Sequence, residues 1–329
     1  GEHRVSVEGA DIWYYVIDNT DSSDKKTSNN NSATITYNQS NPNNTASKTH
    51  KQSSSSATSS ERLPILMLHG GPGGTGTSLY ALSPLADEYS LIIPDQPGTG
   101  RSGNLQDTSL MKIDLFVEQL KEFCDQLGLS DFIIYGHSWG TMLALEYYLK
   151  YPEGIHAIVM NRPLASSQLW MKDAKYLIST MPDSIQEAIR VNEATGTYDS
   201  QGYQHAMREY YSHFISRGPR AVDLSEFPAR VRGNSLMYNY MWGPSEFTAT
   251  GTLKDWDRLD RLDELDLPVL WVTGEFDEAR PETVNYYHEL DEGSEFAVIK
   301  GAAHGTMFDN RDDNVRIIRE FLRKVVNTD

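Results

Sequence analysis

The chain has 329 residues, of which 39% are apolar and 23% charged, and its formal net charge is −17. That length accommodates one large domain with an additional lobe, and the acidic balance argues against binding to nucleic acid or to anionic membrane surfaces. Cys124 is the only cysteine, which excludes an internal disulfide, and without a CxxC or Cys/His cluster the sequence also excludes a zinc–thiolate site.

No stretch of the sequence reaches the ~18 consecutive apolar residues that a membrane-spanning helix needs. The beginning of the chain is charged and has no apolar signal core, so we expect a cytoplasmic protein without a membrane partner. Because residue 1 is Gly rather than Met, processing upstream of it stays open.

The first predicted element is a hairpin at residues 5–17, and a segment of different composition follows it. Of the 42 residues from 19 to 60, 27 are Ser, Thr or Asn and five are apolar. Such a segment cannot bury enough apolar surface to offset the entropy of ordering it, so we predict a disordered insertion. A glycosylated or phosphorylated loop is the alternative, because Asn30, Asn38 and Asn43 each begin an Asn-x-Ser/Thr sequence.

From residue 63 onward, short apolar runs alternate with helical patterns, which predicts a mostly parallel α/β sheet. The helical pattern at about 109–127 has Ser109 as its candidate N-cap and Gly128 as its end. The strand-like runs are residues 63–68, 91–94, 132–135, 155–160, 269–273 and 296–299.

The strand signal disappears between residue 163 and about residue 246, where amphipathic helical patterns follow one another. This predicts a helical lobe inserted between two strands of the sheet. We therefore divide the chain into a first part of the α/β core at 1–163, a helical cap at 164–246 and a second part of the core at 247–329.

The strongest local motif is G-H-S-W-G at residues 136–140, between the predicted strand 132–135 and a predicted helix at 141–151. Glycines on both sides of the serine permit a sharp strand-to-helix turn, the nucleophile elbow, which holds the hydroxyl above the sheet. We predict that Ser138 is a nucleophile.

A serine nucleophile requires a histidine base, and a carboxylate must orient that base. His304 follows the last predicted strand and Asp277 follows the strand before it, so Ser138, Asp277 and His304 occur in the chain order typical of this architecture. We predict these three as a catalytic triad. The alternatives are a capping or core histidine and a turn aspartate; Asp309 is a poorer orienting group because it lies away from a strand end.

A glycine-rich loop, H-G-G-P-G at residues 69–73, follows the predicted strand 63–68. A tetrahedral intermediate needs two backbone N–H donors for its oxyanion, which we assign to Trp139, directly after the nucleophile, and to Gly71. Gly70 has no side chain to keep a substrate away from the backbone, and we predict that it contacts substrate. A phosphate-binding loop is the alternative, but neither GK[ST] nor GxGxxG accompanies these glycines.

Together these motifs resemble the proline iminopeptidase family of α/β-hydrolases, over nearly the whole chain outside residues 19–60. The resemblance implies the α/β-hydrolase fold, in which helices flank a mostly parallel central sheet, with an inserted all-helical cap. It implies that the protein releases the N-terminal residue of peptides or amino-acid amides through an acyl-enzyme, without a metal or organic cofactor. The segments that carry it are H-G-G-P-G, D-Q-P-G-T-G-R-S at 95–102, G-H-S-W-G, G-P-S-E-F at 243–247, G-E-F-D-E at 274–278 and the His304 segment.

The resemblance also implies that acidic side chains bind the free α-ammonium of the substrate. Glu246 matches the glutamate of the G-P-x-E-F segment, and Glu278 matches the glutamate directly after the triad aspartate. A desolvated ammonium needs charge-assisted acceptors, which two carboxylates supply; the alternative is ordinary surface charge. The chain departs from the family pattern at 97–99 and at 161–164, where Arg162 could weaken amine binding or pair with one of the glutamates.

The sequence thus predicts a serine aminopeptidase or amidase whose substrates carry a free α-amine and begin with proline or another small or apolar residue. A carboxylester or lactone hydrolase on the same scaffold is one alternative. A non-catalytic ligand-binding protein of this fold is the other. The sequence leaves the oligomeric state open.

Overall fold

The computed structural model describes residues 1–19, 62–218 and 222–326, so the predicted insertion lies almost entirely outside the described residues. Within them the chain forms one sheet of eight strands, and the α/β-hydrolase fold predicted above is confirmed. The strands are β1 Glu2–Val7, β2 Ala10–Ile17, β3 Pro64–Leu68, β4 Ser90–Pro94, β5 Phe132–His137, β6 Ile155–Asn161, β7 Val269–Gly274 and β8 Glu295–Ile299.

The strands are ordered β1-β2-β4-β3-β5-β6-β7-β8 across the sheet. The predicted hairpin supplies β1 and β2, which pair antiparallel with each other, and β2 also pairs antiparallel with β4. All later pairs are parallel, so β3 to β8 point their carboxyl ends to the same edge. Ligands of such sheets bind outside that edge.

The central strands are apolar along their whole length because both faces of the sheet are covered. In β5, Phe132 and Ile134 enter the hydrophobic cluster on one face, whereas Ile133 and Tyr135 enter the cluster on the other. All four side chains are buried. This is the continuous apolar run expected of a parallel strand between two helical layers.

Helices account for most of the remaining described chain. They are α1 Ile113–Leu127, α2 Trp139–Lys150, α3 Ser167–Ser179, α4 Asp183–Thr195, α5 Gln201–Phe214, α6 Ser235–Met241, α7 Pro281–Leu290, α8 Thr306–Asp309 and α9 Arg311–Val326, with 3-10 helices at Gly76–Asp87, Gly100–Ser102, Thr108–Leu110 and Leu259–Glu264. Helices α1, α2 and α7 pack on one face of the sheet, and α9 with the Gly76–Asp87 helix packs on the other. None of the described helices is long and apolar enough to cross a bilayer.

The start of α1 differs from the sequence expectation. Ser109 is not its N-cap: the Asp107 carboxylate accepts a hydrogen bond from the Ser109 backbone N–H at 2.9 Å and caps a separate 3-10 turn, and α1 begins only after Lys112. The predicted end at Gly128 is confirmed, since this residue closes the helix with a left-handed φ of 68°. Cys124 is buried in the same helix, and burial raises the pKa of its thiol to about 12.

Helices α3 to α6 lie between β6 and β7, where the sequence predicts the helical cap. Side chains of α3, α4 and α5 form a hydrophobic cluster separate from the two clusters of the sheet. Tyr203 and Tyr210 of α5 are completely buried there, beside Phe247. The boundaries 164–246, as limits of a separate domain, stay a prediction.

Candidate active site

Ser138 lies alone between the end of β5 and the start of α2, with φ 54° and ψ −121°. A non-glycine residue at positive φ is strained, so the neighbouring structure must impose the conformation. A Cβ on Gly136 would come within 2.7 Å of the Gly140 carbonyl oxygen, and one on Gly140 within 2.2 Å of the Leu68 carbonyl oxygen. Only glycine on both sides of the serine therefore permits this turn.

His304 and Asp277 come together from loops after β8 and β7. Nδ1 of His304 lies 2.7 Å from Oδ1 of Asp277, whose carboxylate also accepts backbone N–H bonds from Ala279 at 2.9 Å and from Gly274 at 3.3 Å. Because an ionised carboxylate only accepts hydrogen bonds, Nδ1 carries the proton and Nε2 is free to take one up. His304 and Ser138 line the same cavity, which has a volume of about 760 Å³.

Gly70 and Gly71 line this cavity too, and a Cβ on Gly70 would come within 3.1 Å of the His137 side chain, next to Ser138. The Gln96 backbone N–H donates to Nε2 of His69 at 3.0 Å, so Nδ1 of that imidazole donates to the Gly70 carbonyl oxygen at 2.8 Å. The Gln96 side chain donates to the His69 carbonyl oxygen at 2.9 Å and accepts from Nε1 of Trp139 at 2.8 Å. One buried amide thus ties the glycine loop to the nucleophile turn.

Gln96 was present in the D-Q-P-G-T-G-R-S segment that carries the family resemblance, but sequence reasoning gave it no role. The signal for it was a polar residue two positions after the end of the apolar strand β4, at Pro94.

Glu278 follows Asp277 and is 1% exposed, so its carboxyl group is not an ordinary surface charge. Its Oε1 lies 3.9 Å from Nδ1 of His304, and neither oxygen accepts a hydrogen bond from the described residues. Burial first, and then the negative charges of Glu246 and Asp277, raise the pKa of Glu278 well above its usual value. Burial also raises the pKa of Glu246, which lines the cavity, while the charge of His304 opposes that shift.

Tyrosines of the cap surround the two glutamates. The hydroxyl of Tyr210 lies near Glu278 and that of Tyr238 lies near Glu246. Burial first, and then the charge of the neighbouring carboxylate, raises the pKa of each phenol. The hydroxyl of Tyr211 accepts the backbone N–H of Glu246 at 3.2 Å. The sequence did not single out these tyrosines, because a helical pattern does not reveal which hydroxyl meets a distant carboxylate.

Arg162 is buried behind this site, at a positive φ of 57°. Its guanidinium donates through Nη1 to the carbonyl oxygen of His304. It makes no ion pair with Glu246 or Glu278 within the described structure, and burial lowers the pKa of its side chain. Asp309 accepts the backbone N–H of Ala303 at 2.9 Å and so supports the loop before His304 rather than its imidazole.

Together these groups form a cavity lined by a serine in a strained turn, a carboxylate-oriented imidazole and the half-buried Glu246, with the buried Glu278 beside the imidazole. Among residues 1–19, 62–218 and 222–326, no cluster of three or more His, Cys, Asp or Glu side chains is arranged to hold a metal ion. The arrangement is suited to acyl transfer on a substrate that also carries a positive charge.

Comparison with known proteins agrees with this architecture. The family model for the α/β-hydrolase fold matches residues 64–311. A proline iminopeptidase of Heyndrickxia coagulans is 38% identical over 263 residues, which cover 80% of this chain and 91% of that protein. Among solved structures, VinJ superposes with a TM-score of 0.79 at 25% identity, covering 99% of both chains, and a proline iminopeptidase of Mycobacterium smegmatis superposes with a TM-score of 0.75 at 24% identity, covering 98% of both.

Proposed function

The chain belongs to the proline iminopeptidase family of α/β-hydrolases, and we propose that it is a serine aminopeptidase that releases an N-terminal proline or another small or apolar residue from peptides or amino-acid amides. The observation that carries the proposal is the pair of carboxyl groups, Glu246 and Glu278, beside the His304–Asp277 hydrogen bond. Neither an ester nor a lactone hydrolase requires them.

In the proposed reaction, Oγ of Ser138 attacks the carbonyl carbon of the first residue, and Nε2 of His304 accepts the hydroxyl proton. The negative oxygen of the tetrahedral intermediate accepts hydrogen bonds from the backbone N–H groups of Gly71 and Trp139. His304 then donates its proton to the leaving amine as the peptide bond breaks. Water, deprotonated by the same imidazole, hydrolyses the acyl-enzyme and restores Ser138.

Asp277 acts by holding the imidazole in one tautomer and by stabilising its positive charge after proton uptake. Three N–H donors hold its carboxylate, from His304, Ala279 and Gly274, and the Thr273 hydroxyl lies 3.0 Å from Oδ2. Gly70 contributes backbone that the substrate can approach closely.

The glutamates select the substrate by charge. Glu278 is buried and Glu246 is half-buried, their negative charges repel each other, and neither oxygen of Glu278 accepts a hydrogen bond in the described structure. Ionising both carboxyl groups is therefore costly without a cation between them. An α-ammonium supplies that cation, and its position fixes the first peptide bond relative to Ser138. We therefore expect the enzyme to cleave the first peptide bond after a free amino terminus and so to release one residue at a time.

Free and Nα-acetylated prolyl and alanyl arylamides test this proposal, with a p-nitrophenyl ester as the third substrate. We expect kcat/KM to be high for the free arylamides and hydrolysis to fail after acetylation, because the acetyl group removes the charge and fills the pocket. Equal hydrolysis of free and acetylated arylamides would instead support the carboxylester or lactone hydrolase. Failure of a fluorophosphonate probe to label Ser138 would support the non-catalytic protein.

A further inference from the structure

Two arginines, Arg230 and Arg232, line the cavity that also contains Ser138 and Glu246. Both are exposed at its mouth, and neither makes a hydrogen bond or an ion pair with another described residue. They belong to a chain with 46 acidic and 29 basic residues, in which most of the surface repels anions. The two exposed arginines therefore make this part of the cavity positively charged, in contrast to the acidic surface of most of the protein.

The backbone that carries these arginines is held on both sides. Before them, the guanidinium of Arg101 donates to the carbonyl oxygen of Ala229. After them, the backbone N–H of Asn234 donates to the Gly73 carbonyl oxygen at 2.7 Å, and its side chain donates to the Gly98 carbonyl oxygen at 3.0 Å.

An aromatic anchor fixes the same segment further upstream. The ring of Phe227 stacks on Tyr80, whose side chain is fully buried, with 5.0 Å between centroids, and meets Tyr15 edge-on at 6.2 Å. The acidic residues of this segment, Asp223 and Glu226, are absent from the cavity lining in the described structure. The two guanidinium groups are thus attached to a fixed stretch of backbone, and neither forms an ion pair with Glu246, the carboxylate that lines the same cavity.

One cavity therefore contains the Glu246 carboxyl group at the proposed ammonium site and the exposed guanidinium groups of Arg230 and Arg232. A short peptide has the complementary pattern, because its α-ammonium and its α-carboxylate lie at opposite ends. The volume of about 760 Å³ falls in the range of about 300–1,000 Å³ that holds small organic ligands, which limits the enclosed part of a peptide to a few residues.

We propose that Arg230 and Arg232 bind the free α-carboxylate of the leaving part of the substrate, so that the preferred substrates are di- and tripeptides with an unblocked carboxyl terminus. This inference rests on the proposed aminopeptidase function and adds a second charged end to its substrate. Guanidinium groups suit this role because their planar donors match a carboxylate.

The test compares kcat/KM for Pro-Ala, Pro-Ala-amide, Pro-Glu-amide and a prolyl arylamide, with released proline or arylamine as the readout. For the wild type we expect Pro-Ala to exceed Pro-Ala-amide by about fivefold, the scale of two solvent-exposed ion pairs, and we expect added salt to reduce this ratio. In the R230Q/R232Q double variant the ratio should approach one, whereas R230K/R232K should retain part of it. R208Q, which changes an exposed arginine of α5 outside the cavity lining, is the matched control and should leave the ratio unchanged.

A ratio near one in the wild type, or an unchanged ratio in R230Q/R232Q, would overturn the inference. Preference for Pro-Glu-amide over Pro-Ala would also overturn it, because the arginines would then bind a side-chain carboxylate rather than the α-carboxylate. The prolyl arylamide separates the two proposals: if the wild type cleaves it without any preference for free carboxylates, only this inference fails, and if the wild type does not cleave it, the aminopeptidase function fails as well.

Discussion

Ser138 has a backbone conformation that few residues other than glycine adopt, and its backbone is held in place on both sides of the turn. Its N–H donates to the Asn161 carbonyl oxygen at 3.1 Å, and its carbonyl oxygen accepts the Thr141 N–H at 2.7 Å and the Thr141 hydroxyl at 2.6 Å. These bonds involve only the backbone of Ser138. The hydroxyl can therefore be removed without disturbing the turn.

We expect S138A to lower kcat for arylamide hydrolysis by about 10⁴-fold or more, the effect typical of triad knock-outs, while the melting temperature stays close to that of the wild type. Stopped assays and thermal unfolding of the same preparation measure both quantities. S235A changes a serine that also lines the cavity and should keep wild-type turnover. Comparable turnover in S138A and S235A would contradict the assignment of the nucleophile.

Glu278 presents a conflict between binding and stability. Its pKa is raised in the folded protein, so the unfolded chain loses this proton at a lower pH than the native state does. The native state then binds more protons, and the free energy of unfolding falls as the pH rises above the ordinary value of 4.5. Replacing Glu278 by a neutral side chain of the same shape removes its contribution to the pH dependence of the free energy of unfolding.

We therefore expect E278Q to be more stable than the wild type at pH 8, with a difference that shrinks toward pH 4.5. The same variant should lose about 1.5–3 kcal/mol in kcat/KM for a free-amine arylamide, the range for a hydrogen bond to a charged group. Urea unfolding at several pH values and steady-state kinetics measure the two effects, with E292Q as a control at an exposed glutamate. A stability difference that is constant with pH would argue against a raised pKa.

Sequence reasoning selected His304 and Asp277 because each follows a predicted strand, and parallel strands bring their carboxyl ends to one edge. It could not place Arg162 behind His304, since nothing in an N-R-P-L turn indicates that a guanidinium is buried and bonded to a carbonyl oxygen 142 positions away. The position of the Tyr210 hydroxyl near Glu278 could not be predicted for the same reason. Contacts between the cap and the core depend on how two lobes meet.

Helix α5 connects the packing of the cap to the substrate site. The Tyr203 hydroxyl lies 2.8 Å from Oγ of Ser245 and 2.9 Å from Oγ1 of Thr248, the two residues that pair across the turn containing Glu246. All three hydroxyl groups are buried. The tyrosine thus supports the segment that presents Glu246, one of the two carboxylates that we propose bind the substrate ammonium.

Removal of this hydroxyl in Y203F should cost about 1 kcal/mol of stability and should raise KM for free-amine substrates more than it lowers kcat. Chemical denaturation and arylamide kinetics provide the two readouts. Y198F alters a neighbouring cap tyrosine whose hydroxyl has no hydrogen bond in the described structure, and it should change neither value appreciably. An unchanged KM in Y203F would show that the Glu246 turn holds its shape without the brace.

Element boundaries were predictable where a residue has a special backbone conformation and less so elsewhere. Gly128 ends α1 because it adopts a left-handed conformation, and the sequence indicated this directly. The beginning of α1 was misplaced because Asp107, Ser109 and Lys112 offer several local hydrogen-bonding choices, and the helical periodicity of apolar residues extends past the real start. Short polar side chains near a helix start make several competing caps.

The sheet is continuous without residues 20–61. Ile17 at the end of β2 and Ile65 in β3 are both register partners of Leu91 in β4, from opposite sides. Their separation is therefore two strand spacings, about 10 Å. An ion pair at 3.6 Å between Asp18 and Arg62 also joins the two chain ends that border this part of the sequence.

Replacement of residues 20–61 by a linker of about four residues containing glycine should shift the melting temperature by no more than ~3 °C and leave kcat close to the wild-type value. The linker needs to span only that short gap, and lengthening or shortening a loop changes closure entropy slowly. Differential scanning calorimetry and arylamide kinetics on the shortened chain measure this. A loss of cooperative unfolding would show that the removed residues contribute to the folded body.

The register of β2, β3 and β4 also determines where the enzyme can be attached to a solid support or a fusion partner without blocking its cavity. Strand β3 runs for about 16 Å from Pro64, at the edge where residues 19 and 62 lie, to Leu68, which leads into the glycine loop of the cavity. A protein fused between residues 19 and 62 would therefore be attached at the edge of the sheet where β3 begins, opposite the edge that carries the cavity. A bead, a scaffold protein or a fluorescent reporter tethered at that point would leave the peptide entrance unobstructed, so this position suits oriented immobilisation of the enzyme.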